Sequence, residues 1–117
     1  MVTFKLVEES EKNLTFWYYP EGHEDKDHGI IVFNRQEEEL TITKVAEDDW
    51  EREVPAEEIN ILIDAINRAE REAGGSNFAE YVKDSERHVY YGDHAVREIT
   101  KYLCKGEIPK KGFQIWY

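Results

Sequence analysis

The sequence predicts an α+β domain: an antiparallel β-meander of about four strands, then a long amphipathic helix, a second helix and a C-terminal strand. Three observations carry this. Apolar and polar residues alternate through 2–8, 14–19 and 40–45, with a short apolar run at 30–33. Apolar residues then recur at three and four over 56–73. Strand signals precede helix signals, the order expected when helices pack on an antiparallel sheet.

In the first strand Val2, Phe4 and Leu6 alternate with Thr3, Lys5 and Val7; in the second Leu14, Phe16 and Tyr18 alternate with Thr15, Trp17 and Tyr19. The short polar stretch between them suits a hairpin connection. Pro20 ends the second strand, the polar stretch 21–29 forms a loop, and Ile30-Ile31-Val32-Phe33 starts a third. Asn34 to Glu38 make the next turn, and β-branched Thr41, Ile42 and Thr43 favour a fourth strand.

Ala56, Ile59, Leu62, Ile63, Ile66, Ala69 and Ala73 line one helical face, and the reading packs this helix on one face of the sheet. Pro55 suits its first position, Glu57 and Glu58 its positive end, Arg68 and Arg71 its negative end, and Gly74-Gly75 a left-handed stop. Asn77-Phe78-Ala79-Glu80 has capping-box spacing and predicts a short helix to about Asp84. His88 to Tyr91 reads as a short strand. Asp93 reads as the cap of a helix carrying Val96, Ile99 and Leu103 and ending at Gly106. A turn at 109–112 leads to a final strand, Phe113 to Tyr117.

At 117 residues with 40 % apolar and 15 aromatic side chains (Trp 3, Tyr 7, Phe 5), the chain reads as one globular domain, residues 1–117. No run approaches the roughly 20 apolar residues a membrane span requires. The formal net charge is −11, and through Glu58 there are 17 acids against 6 bases, with 9 of each beyond. Such a chain lacks the basic stripe that nucleic acid requires, and its field attracts a basic partner. The opening residues show no signal-type apolar core, which leads to the expectation of a cytosolic chain, and the single cysteine, Cys104, suits a reducing compartment.

Candidate chemistry is sparse. His23 and His28 sit with Glu24, Asp25 and Asp27 in one polar loop, residue types that bind transition metals but that also populate any solvated loop. His88 and His94 flank two tyrosines and Asp93, an arrangement that would frame an acid–base site or simply pack and cap a helix. The serines lack a glycine elbow, and Cys104 falls in a helix's last turn, where the dipole disfavours a thiolate. The leading expectation is therefore a non-catalytic protein-interaction domain with no cofactor, binding a basic protein or a second copy of itself. Its apolar anchors are Trp17, Tyr19 and Phe33, on a sheet too oily on both faces for one helix to cover; the other cover is the C-terminal part, through Val96, Ile99, Leu103 and Trp116, or a partner. Glu37, Glu38, Glu39, Asp48 and Asp49 form the charged rim. Two alternatives stand beside it: a small-molecule or metal-binding enzyme built on the four histidines and neighbouring tyrosines, and an acidic inhibitor or immunity-type protein.

Overall fold

Alternation of apolar residues over 2–20 and 29–44 folds the chain into a hairpin ladder. In the computed structural model, which describes Met1–Trp116, the strands are β1 (Val2–Glu9), β2 (Asn13–Pro20), β3 (Gly29–Asn34), β4 (Glu39–Lys44), β5 (Glu51–Val54), β6 (Glu86–Val89) and β7 (Lys111–Gln114). The helices are α1 (Ala56–Glu72) and α2 (Tyr90–Cys104). The fold is α+β, with a five-stranded sheet in the order β4-β3-β2-β1-β7 and a two-stranded sheet of β5 and β6. The chain divides into two compact units, residues 1–51 with 89–117, and residues 52–88. Among the described residues no helix is long and apolar enough to cross a membrane.

In the first unit the ladder pairs Phe4 with Tyr18, Phe16 with Ile31 and Ile31 with Ile42, so these side chains share one face. With Val2, Leu14, Val89, Ala95 and Ile99 they form the buried core. The helix on this face is α2, which buries Ala95 and Ile99 completely. The long helix expected there, α1, belongs to the second unit. Two aromatic rings of the core lie over glycines on neighbouring strands. A Cβ on Gly29 would stand 1.9 Å from Tyr18 Cε1, and one on Gly112 would stand 2.6 Å from Phe4 Cζ. Glycine is therefore what lets these rings lie flat on the sheet.

The other face carries Thr3, Lys5, Trp17, Tyr19, Ile30 and Val32. Over its Trp17 and Tyr19 lies the loop that follows β2. His28 from this loop stacks on Trp17, ring centroids 3.7 Å apart and planes 13° apart, and meets Tyr19 edge-on. Lys5 Nζ lies 5.4 Å from the Tyr19 ring centre. Val96, Ile99 and Leu103 instead pack on the core face.

The second unit is held by polar contacts. Asn60 accepts from the Val82 N–H (2.9 Å) and donates to the Val82 carbonyl (3.1 Å). Asn67 makes the same pair with Ala79 (2.8 and 3.0 Å). Seven residues of helix rise about 10.5 Å and three extended residues span about 10 Å, so the two pairs are in register. Residues 79–82 consequently run antiparallel along α1 as an extended strap. Between the two pairs the Tyr81 hydroxyl donates to Asp64, which pushes the phenol above its ordinary pKa. No helix forms at 77–84, contrary to the capping-box spacing, because the two asparagines claim the backbone groups that a helix would use.

Two further expectations shift. Tyr90 and Tyr91 enter α2 instead of ending a strand, and β6 stops at Val89. The final strand is Lys111–Gln114 instead of 113–117, and Tyr117 lies outside the described residues.

Candidate functional site

The first turn of α2 begins with two tyrosines, poor helix starters that need a cap. Asp93, expected to provide it, sits inside the helix and accepts from the Val89 N–H at 3.0 Å. The cap comes instead from Asp49, more than forty residues upstream. Its carboxylate accepts from the N–H groups of Trp50 (2.8 Å), Tyr91 (2.9 Å) and Gly92 (2.9 Å), and from the Tyr18 hydroxyl (2.8 Å). A negative charge at the positive helix end satisfies orphan donors and the dipole together. The Tyr18 hydroxyl, on a fully buried side chain, also accepts from the Ala46 N–H at 3.1 Å.

This clamp positions a group of rings. The Tyr90 N–H donates to the Trp50 carbonyl at 3.1 Å, and the Trp50 and Tyr90 rings stack 4.4 Å apart at 12°. Tyr91 stands edge-on to both. Trp116 closes the far side, stacked on His94 at 3.8 Å and 4°, with its indole N–H donating to the Tyr90 hydroxyl at 3.2 Å. His94 Nδ1 donates to the Gln114 side-chain oxygen at 2.9 Å. Despite this internal packing, Trp50 is 54 % exposed and Tyr90 40 % exposed. The result is a stacked aromatic platform that meets water with fixed geometry.

One carboxylate meets the platform in space and two more precede Trp50 in sequence. Glu21 accepts from the Tyr91 hydroxyl at 2.7 Å and pairs with the Met1 ammonium at 3.3 Å. The Tyr91 hydrogen bond, followed by the positive chain terminus, holds the Glu21 carboxyl below its ordinary range. The same hydrogen bond, with burial, pushes the Tyr91 phenol up to about 12. Glu47 and Asp48 precede Trp50 by three and two residues.

The residues expected from sequence are placed differently. Tyr19 is only 5 % exposed, sealed by the loop after β2, and offers no free anchor. Phe33 pairs with Leu14 and Leu40 and packs on the core, so it lies on the opposite face of the sheet from Trp17. These three anchors cannot form one patch. Asp49 is the α2 clamp instead of a steering charge, whereas Glu37, Glu38 and Glu39 are exposed and Asp48 faces His23 at 3.4 Å. The histidines scatter: His28 lies on Trp17, His94 on Trp116, and His88 meets Glu86 at 3.2 Å within the second unit. The hollow of about 890 Å³ beside β1 and β7 and that of about 600 Å³ near Phe33 and Leu103 are lined by none of them. Among the described residues, no three His, Cys, Asp or Glu side chains gather as a metal-holding group.

Trp50 and Trp116 were the residues that sequence reading passed over as site members. The signal for Trp50 was its place in an acidic run, Glu47-Asp48-Asp49-Trp50-Glu51. The fold and the site define an α+β chain carrying an acidic aromatic surface. No protein-family model, curated protein or solved structure matches this sequence.

Proposed function

We propose that this chain is a non-catalytic interaction module that receives a basic protein segment on the Trp50–Tyr90 platform. The observation that supports the reading is a pair of stacked rings left in water while their backbone is clamped by Asp49. Rings already ordered lose little entropy on binding, and their faces attract guanidinium or ammonium groups. Glu21, Glu47 and Asp48 supply opposite charge near the platform. The exposed Glu37, Glu38 and Glu39, within a chain of net charge −11, strengthen the long-range field that speeds encounter.

Titration with an arginine- and lysine-rich peptide, followed by tryptophan fluorescence, tests this. Saturable binding is expected, weakened about tenfold or more by Trp50→Ala. It should also weaken between about 0.1 M and 1 M salt, as the Debye length falls from about 10 to 3 Å. Absence of saturation, or equal affinity in Trp50→Ala, would overturn the proposal.

A further inference from the structure

The rings of the platform form a stack and not a cage. Trp50 and Tyr90 lie 4.4 Å apart at 12°, and Tyr91 meets them edge-on at 5.9 and 5.0 Å. Rings this close leave no slot between them, whereas a cation held between two faces needs its own thickness besides contact with each. Trp50 is nevertheless 54 % exposed, more than a ring covered on both faces can show, so with Tyr90 on one face the other meets water. Tyr90 is hemmed in further by Trp116 and His94, edge-on at 5.9 and 5.8 Å, and its hydroxyl takes the Trp116 indole N–H at 3.2 Å. The outer face of Trp50 is therefore what the platform offers a ligand.

Given that the platform receives a basic segment, as proposed above, we infer that it selects arginine over lysine or methylated lysine, with the guanidinium lying flat on the outer face of Trp50. A guanidinium is planar and weakly hydrated, so it stacks on a single ring and keeps its N–H donors directed outward in its own plane. An ammonium is compact and strongly hydrated, and one ring face repays little of that hydration. A quaternary ammonium is held by several faces at once, the arrangement that ring-on-ring contact removes here. Glu21 adds to the preference. Its Oε1 accepts from both the Tyr91 hydroxyl at 2.7 Å and the Met1 ammonium at 3.3 Å, while its Oε2 has no partner among the described residues. A carboxylate at the border of the ring group can accept in-plane N–H bonds from a guanidinium, and trimethyllysine has no such hydrogen to give.

Three peptides of one sequence, carrying arginine, lysine or trimethyllysine at every basic position, test this by tryptophan fluorescence titration at about 0.1 M salt. The arginine peptide should bind about fivefold or more tightly than either of the others. In Trp50→Leu, with unchanged far-UV circular dichroism, the three should bind alike within about twofold, whereas Trp50→Phe, which keeps a ring face, should retain the order. Glu21→Gln should weaken the arginine peptide more than the trimethyllysine peptide, because screening of charge affects both and loss of a charged acceptor affects one. Lysine or trimethyllysine binding as tightly as arginine, an arginine preference surviving in Trp50→Leu, or equal weakening of both peptides by Glu21→Gln would each overturn arginine selection while leaving the receipt of a basic segment in place. Absence of saturation with all three peptides would overturn both.

Discussion

Replacing Asp49 by alanine removes the acceptor of four hydrogen bonds at once. Two of the lost donors, on Tyr91 and Gly92, are first-turn amides of α2; losing a carboxylate cap costs about 1 kcal/mol. A third is the Tyr18 hydroxyl, on a side chain with no exposed surface, and losing a buried hydrogen bond to a charged group costs about 1–3 kcal/mol. The expected destabilisation is roughly 2–4 kcal/mol. For a chain of this size, about 4 °C per kcal/mol lowers the Tm by roughly 8–16 °C. Urea unfolding followed by far-UV circular dichroism measures it. Asp49→Asn, which keeps one acceptor oxygen and loses the charge, should fall between Asp49→Ala and wild type. The double variant Tyr18→Phe/Asp49→Ala should be less destabilised than the sum of the singles by about 1 kcal/mol, because each single variant already loses the bond that the two residues share. An Asp49→Ala protein within about 0.5 kcal/mol of wild type, or strict additivity in the double variant, would refute the clamp.

Two other outcomes follow from the sheet. Gly29→Ala forces a methyl into the Tyr18 ring, and since that ring is fully buried the cost is expected at about 2 kcal/mol or more by chemical denaturation; a neutral effect would show that the ring can move. His28, stacked on Trp17, titrates below its ordinary value, first because burial disfavours the imidazolium and then because Lys44 and Lys5 repel it, against the attraction of Asp27. As pH falls below about 6.5, the unfolded chain takes up this proton before the folded one does, so the contribution is complete above that pH and is lost beneath it. Wild type should therefore lose more stability than His28→Phe between about pH 7 and 5, and parallel pH profiles would remove His28 as the cause.

The meander was legible because period-two alternation reports burial on one face of a sheet directly. Val2, Phe4, Phe16 and Tyr18 alternate in the sequence with Thr3, Lys5, Trp17 and Tyr19 and are buried in the structure, whereas the unbroken apolar run 30–33 left open which of its residues face the core, and Ile31 is the buried one. α1 was equally legible as an element, with Gly74 at φ +79° making the left-handed stop. What the helix faces was not legible, because amphipathicity states that a stripe exists and not what meets it. Tyr90 and Tyr91 were misread as strand for a related reason: both have β propensity, and the residue that pulls them into a helix lies at position 49. The extended path of 79–82 likewise depends on Asn60 and Asn67, whose pairing is a long-range event. Of the site, the acidic charge was visible in composition. The stacking of Trp50 on Tyr90 was not, since it requires two residues forty apart in the chain to lie side by side.

The asparagine pairs on α1 grip main chain alone, through one N–H and one carbonyl at each of Ala79 and Val82. Identity at those two positions is therefore nearly unconstrained, apart from proline, which has no hydrogen to offer. The tether can accumulate substitutions while its path stays fixed, giving a stretch where new surface chemistry can be written without rebuilding the scaffold beneath.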